Sequence, residues 1–489
     1  MTAMTFPKTP NFTGMFAPSG VEADVNSLPV IDGAVPEELD GAFYRVCPDP
    51  QFPPLSGDDI WFNGDGMITR FRFQGGNVSL RQKWARTEKF NMERAAGRAL
   101  FGMYRNPLTD TEEAKGRVRS TANTNVVVHA GKLYALKEDS PPTLMDPETL
   151  DTIDPVYTFG GKMKSQTFTA HPKFDPKTGH MLAFGYAAKG LLGRDMVYYE
   201  IDTKGEIVKE VWFEIPYYCM MHDFGVTEDY AVFHVVPITS DWERLAARKP
   251  HFGFDTKKPV YLGVLPRGGG AEDLRWFSAP VCFASHVMNA HNDGTKIHFD
   301  VPMAEGNMFP FFPDIDDNPF DPQKAASRMT RWTVDLRSNS EDIQMEPLSD
   351  LVGEFPRIDD RFTGLKNRHG FLLVQDFSKP VDLPGGRSAS GMLMNTLAHI
   401  DLETGEKDTY WLGPVSSLQE PAFVPRPGST EEGDGYLVAI ENRLDTQSSR
   451  LLLFEARHVA KGPIATLGIP FRIRPGLHGN WATAAQIAG

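Results

Sequence analysis

Cysteine is scarce in this chain: Cys47, Cys219 and Cys282 are the only three among 489 residues. They are scattered, odd in number and show no C-x-x-C spacing, which excludes a disulfide framework and points to reduced thiols. Long apolar runs are missing too. No window approaches 18 uninterrupted apolar residues, so no membrane span is expected. The opening MTAMTFPKTPNFTG lacks a basic stretch followed by an apolar one, so no signal peptide is expected. Nor is there a surplus of basic residues. The formal net charge is −14, which speaks against nucleic acid as a partner, because phosphate binding needs a basic surface. These absences leave a soluble cytoplasmic protein as the expectation.

Helical periodicity is also rare. One stretch, Asn91–Tyr104, places Ala95, Ala99, Leu100 and Met103 roughly on one face and predicts a surface helix on an insertion. Strand signals dominate instead, as in Val197–Ile201, Tyr230–Val236, Lys296–Val301 and Leu451–Phe454. Asp-led turns recur between them: DPETL at Asp146, DPKTGH at Asp175, DTKGE at Asp202 and DLETGE at Asp401. Asp opens such turns by bonding its own backbone, and Gly, where present, supplies the positive φ. Strand, turn and strand repeat through the chain, which suits stacked antiparallel hairpins. An all-β propeller or large sandwich fits, and a βαβ array does not. No composition break divides the chain, so residues 1–489 read as one domain with an irregular N-terminal arm over about residues 1–30.

Thirteen histidines are present, and one histidine alone is more often a hydrogen-bonded core or surface residue than a ligand. His129, His180, His251 and His458 keep that ordinary reading. Four others sit in less common contexts: His171 in TFTAHPKFD, His222 in CMMHDFG, His286 in CFASHVMNAHNDG and His478 in IRPGLHGNW. None belongs to a short H-E-x-x-H pair. Their successive separations are 51, 64 and 192 residues, the last three times the second, as ligands one or several propeller blades apart would be. Spacing alone does not select them, since thirteen histidines offer many sets of four.

The segments around these histidines resemble the carotenoid cleavage oxygenase family. The resemblance runs from GAFYRVCPDP at Gly41 and WFNGDGMI at Trp61 through NTNVVVHAGKLYALKED at Asn123, TAHPKFDPKTG at Thr169 and MHDFGVTEDYAVF at Met221. It continues through FASHVMNAHNDG, GEFPRIDDRF at Gly353 and EPAFVPRPGSTEEGDGYL at Glu420 to the final PGLHGNW. It implies a seven-bladed β-propeller with one Fe(II) per subunit on its axis, and a helical or loop cap over the substrate cleft. It implies His171, His222, His286 and His478 as the ligands. His291 is a nearby competitor, but the family motif places the ligand before V-M-N-A. Imidazole suits Fe(II), and neutral ligands leave the ion its full charge, which favours O2 as co-substrate. Zinc is the ordinary metal of a histidine-rich site, yet four ligands would complete its tetrahedron and leave no reactive position. The family supports its ligands with three glutamates, matched here by Glu138, Glu354 and Glu420. Thr124 matches a family position beside the iron, where its methyl is expected to restrict one coordination position. A homodimer is a further family expectation.

Within the family, Lys137, Tyr104 and Phe62 resemble the lignostilbene dioxygenase branch. There the lysine and tyrosine grip a phenolic 4-hydroxyl and the phenylalanine packs on the ring. An ammonium beside a phenol favours the phenolate. Simple strand alternation would turn Lys137 away if Glu138 faces the iron shell, so an irregular stretch is required. Phe309 and Phe311 in NMFPFFPD are candidates for a second aromatic wall. The implied activity is O2-dependent cleavage of a 4-hydroxystilbene, a small aromatic substrate, into two aldehydes. Cleavage of an apocarotenoid or of a propenyl phenol such as isoeugenol on the same scaffold is the alternative. A non-enzymatic propeller that docks proteins is the alternative of another class.

Overall fold

The computed structural model describes residues 5–382 and 393–489. These residues form an all-β structure with few, short helices. The sheets are antiparallel and follow one another along the chain. Three have four strands, one has five, one has six and one has eight, and a small two-stranded ribbon joins Ile238–Thr239 to Gly253–Phe254. Residues 5–22 carry two single 3₁₀ turns, Pro10–Phe12 and Gly14–Phe16, before the first strand, Ala23–Val25.

The expected strands are present, three with longer bounds, Asp195–Ile201, Lys296–Ala304 and Ser448–Glu455, and one a residue shorter, Tyr230–Val235. The Asp-led turns join or end them as expected. Asp146 Oδ1 accepts from the N–H of Glu148 and Thr149, Asp202 Oδ1 from Lys204 and Glu206, and Asp401 Oδ1 from Glu403 and Thr404. The DPETL turn has no glycine, and Leu150 takes the positive φ itself, at 57°. That conformation costs a non-glycine residue roughly 1–2 kcal/mol. Leu150 is buried in a core cluster with Met145 and Leu133, and that packing holds it there.

The helix expected over Asn91–Tyr104 lies instead at Glu88–Ala96. Thr87 starts it, its hydroxyl accepting from Phe90 N–H at 3.1 Å. Gly97 ends it at φ 67°, a left-handed conformation that glycine adopts without strain. Ala95 is therefore exposed, whereas Ala99 and Leu100 are buried by an irregular segment. Capping chemistry overrode the apolar spacing.

The two ends of the chain share sheets. Gly479–Thr483 pairs with Gly41–Pro48, and Val30–Gly33 pairs with Ala465–Gly468. Neighbouring sheets bury apolar faces against each other; one cluster joins Phe184 and Tyr198 with Phe233, Leu262, Phe299 and Trp332, from three successive sheets. Each such side chain contributes roughly 1.5–3 kcal/mol when fully buried.

Candidate active site

The four histidines occupy equivalent places. Each immediately precedes a short edge strand of its sheet: His171 before Lys173–Phe174, His222 before Gly225–Val226, His286 before Asn289–Asp293 and His478 before Gly479–Thr483. The leading ends of these strands converge. Gly479 is required there, since a Cβ would come within 2.6 Å of the Tyr44 carbonyl. One ring nitrogen from each histidine lies within 4.8 Å of the others. Nε2 of His222 is 3.1 Å from that of His171 and 3.0 Å from that of His286, which is 3.3 Å from that of His478.

The other ring nitrogen faces a carboxylate in three of the four histidines, His171 being the exception. Nδ1 of His222 donates to Glu138, Nδ1 of His286 to Glu354 at 2.6 Å, and Nδ1 of His478 to Glu420 at 3.0 Å. With the proton held on Nδ1, Nε2 of these three presents a lone pair to the centre, where Nε2 of His171 also lies. Lone pairs crowded at 3 Å repel unless a cation lies between them, so the donor set fits a metal. Ligands at right angles and about 2.1 Å from an ion would stand about 3.0 Å apart, and tetrahedral ones about 3.4 Å. The separations of 3.0, 3.1 and 3.3 Å lie closer to the right-angled case for two of the three pairs.

Electrostatics agree with this fit. Burial pushes His478 down to about 4 and, with the neighbouring imidazoles, pushes His171 well below its ordinary value. Burial would raise Glu420, but His478 and Arg357 outweigh it and hold the carboxyl at about 2. Burial would raise Glu138 too, and His222 overrides it to hold the group well below the carboxylate range. His286 goes the other way: burial lowers it, but Glu354 and Asp223 raise it more. Glu354 reaches its partner from an irregularity in strand Gln344–Arg357, where the register shifts and Phe355 takes φ 55°.

A cleft of about 680 Å³ opens onto the cluster. Phe62, Tyr104, Thr124, Lys137 and Phe309 all line it, with His222, His286 and His478. His171 does not; a smaller cavity of about 70 Å³ reaches it from another side. Lys137 can face the cleft because strand Lys132–Leu136 ends just before it, so alternation no longer governs Lys137 and Glu138. Lys137 is buried, and its ammonium lies 5.0 Å from the centroid of the Tyr104 ring. Among the described residues no carboxylate pairs with it; its acceptors are the Asn123 amide oxygen at 3.2 Å and the Phe62 carbonyl at 3.4 Å. Burial lowers its pKa, Arg105 adding to this and Glu138 and Asp139 opposing it. Burial raises Tyr104, against the Arg105 charge, so its hydroxyl stays protonated. Phe62 packs edge-on against Phe311, centroids 5.2 Å apart, and Phe311 stacks with Phe309 at 5.1 Å.

The competitor His291 and the histidines with an ordinary reading lie elsewhere. His291 faces His298 inside a sheet, His129 bonds the Asp202 carbonyl, His251 shares a hydrogen bond with the Tyr218 hydroxyl, and His458 is exposed. The helix Glu88–Ala96 lends no residue to the cleft. The N-terminal arm does, through Lys8, Pro10, Met15 and Phe16, a role that irregular sequence did not announce. Asn123 was also missed. It sits beside Thr124, yet nothing local reveals contacts to residues 61 and 14 positions away.

The family model of the retinal pigment epithelial membrane protein, RPE65, matches residues 16–483. The lignostilbene-alpha,beta-dioxygenase isozyme III of Sphingomonas paucimobilis is 53% identical over 486 residues, covering 99% of this chain and 99% of that protein. The isoeugenol monooxygenase of Pseudomonas nitroreducens is 42% identical over 472 residues, covering 96% and 98%. The crystal structure of Pseudomonas brassicacearum lignostilbene dioxygenase matches with a TM-score of 0.94 at 44% identity, covering 99% of this chain and 100% of that one. Convergent histidines with carboxylate partners, and matches that span nearly the whole chain, lead to one conclusion: the chain belongs to the RPE65 family, the carotenoid cleavage oxygenases.

Proposed function

We propose that this protein is a non-haem Fe(II) dioxygenase that cleaves the central C=C bond of 4-hydroxystilbenes of the lignin type with O2, giving two aromatic aldehydes. The architecture we read is a seven-bladed propeller. Strand Gln344–Arg357 serves two adjacent four-stranded units, counting such units gives seven, and the shared terminal sheets support closure into a ring. One Fe(II) per chain, held by His171, His222, His286 and His478, would supply the one-electron chemistry that lets O2 react with a closed-shell alkene.

The observation that carries the substrate class is Lys137. A buried ammonium without an anionic partner is costly in an aromatic cleft, and a polyene offers it nothing. A phenol does: the ammonium favours its ionised form, and phenolate oxygen pushes electron density through the ring into the conjugated alkene. The Tyr104 hydroxyl donates to the same oxygen. Phe62 stacks on the ring, Phe309 and Phe311 wall the second ring, and Thr124, whose carbonyl accepts from His478 N–H at 3.2 Å, narrows access to one side of the cluster. The test compares Fe(II)-loaded protein on a 4-hydroxystilbene and its 4-methoxy analogue under 18O2. Label in both aldehydes and a strong preference for the phenol are expected; equal rates would remove the phenol-activating role. Lys137→Ala is expected to lose activity by roughly two orders of magnitude or more while retaining iron.

A second reading is a propenyl phenol such as isoeugenol, because Lys137 and Tyr104 would grip any para-hydroxylated alkene and one relative is an isoeugenol monooxygenase. Relative kcat/KM on the two substrates decides between them.

A further inference from the structure

We propose that Asn123 is a positioning residue that holds the Lys137 ammonium toward the phenolic oxygen of the substrate, an inference that rests on the phenol-binding role given above. The Asn123 side chain is fully buried. Its Nδ2 donates to the carbonyls of Phe62 at 2.7 Å and Gly64 at 2.6 Å. Its Oδ1 accepts from Lys137 Nζ at 3.2 Å and from Thr124 Oγ1 at 3.2 Å. Both donors and both lone pairs of the amide are therefore used. The two carbonyls fix which end is nitrogen, so the oxygen must face the lysine.

The consequence falls on Lys137. An ammonium has three N–H donors. One is held by Asn123 and one by the Phe62 carbonyl, so the third remains for a ligand in the cleft. Both holding groups are neutral. They aim the charge without cancelling it, whereas a carboxylate in their place would compete with a phenolate. The charged and titratable groups that bear on this ammonium are Glu138 and Asp139, which favour it, Arg105, which opposes it, and the Tyr104 hydroxyl beside it. The same amide ties the lysine to the carbonyl of Phe62, the residue that packs on the ring. Charge and stacking surface are thus set by one side chain.

The experiment uses iron-free protein and trans-4-hydroxystilbene, with the ionised fraction of the bound phenol read from its red-shifted absorption across pH. Wild type is expected to lower the phenol pKa, and Lys137→Met to abolish the shift. Asn123→Ala is expected to cut the phenolate-to-phenol ratio at fixed pH about tenfold, one pKa unit. In the Lys137→Met background the same substitution is expected to change nothing, because the effect runs through the lysine. Binding of 4-methoxystilbene, which cannot ionise, reports whether the cleft is intact. Asn123→Ser, which keeps one donor for the Phe62 loop, replaces the alanine variant if that fails to fold. An unchanged phenolate ratio in a variant that binds 4-methoxystilbene overturns the role of Asn123, as does an equal loss in both backgrounds. Absence of any shift in wild type instead overturns the phenol-binding reading itself.

Discussion

Removing one charge behind one ligand tests the metal site most cleanly at Glu354→Gln. Glu354 is 3% exposed, and its Oε2 accepts from His286 Nδ1 at 2.6 Å and from the N–H of Phe355. Glutamine preserves the shape and one acceptor but not the charge. The other two glutamates are less clean: Glu420 also faces Arg357 at 3.7 Å and accepts from Gly479 N–H, and Glu138 adjoins Lys137. A charge-assisted hydrogen bond is about twice as strong as a neutral one, a difference of roughly 1.5 kcal/mol. Carboxylates behind ligating histidines typically carry about 10–100-fold in metal affinity. The variant is therefore expected to bind Co(II) or Fe(II) about tenfold or more weakly, measured by competition with a chelator. The pH profile adds a sign. In wild type, Glu354 and Asp223 raise His286 despite its burial, so protons compete with the metal as pH falls through that raised value. Without the carboxylate the affinity plateau at high pH drops, while the inflection moves to lower pH. Affinities within threefold, or an inflection that stays in place, would refute the reasoning.

Three further outcomes are expected. Lys89 is buried between Asp65 at 2.9 Å and Glu93 at 2.7 Å, so Lys89→Met strands two carboxylates and should cost about 3–5 kcal/mol in a denaturant titration; a loss under 1 kcal/mol would mean that the site relaxes or protonates freely. Phe62→Ala should weaken turnover of a 4-hydroxystilbene mainly through KM, by roughly 2–10-fold on the scale of one aromatic contact, with metal content unchanged. The metal-free protein should lose stability in acid. Glu420 has its pKa lowered from 4.5 to about 2, so its contribution is full above 4.5 and is lost as pH falls through 2. His478, buried and lowered from 6.5 to about 4, adds a loss of the same sign between those values, and Glu420→Gln should flatten the acid limb of the urea-midpoint profile.

Strand after strand was legible in the sequence, because runs of β-branched and aromatic residues and Asp-led turns are local features. The strand read over Tyr230–Val236 formed over Tyr230–Val235, and the Asp202 turn formed as read. The stretch Asn91–Tyr104 did not, because Gly97 and the Thr87 cap set the helix ends and apolar spacing does not report them. The candidate metal set was legible only through motif context. Thirteen histidines carry no local mark that separates a ligand from a core residue, since what distinguishes them is convergence across gaps of 51, 64 and 192 residues. The sequence by itself determined the strand grammar, the family motifs and the residue types available for chemistry. Only the tertiary structure decided that ring nitrogens of four histidines meet within 4.8 Å of one another, that the strand before Lys137 stops in time to release it into the cleft, and that Asn123 aims it. The physical reason is the same in each case: a hydrogen bond or ligand geometry depends on positions in space, and residues distant along the chain acquire these only when the sheets pack.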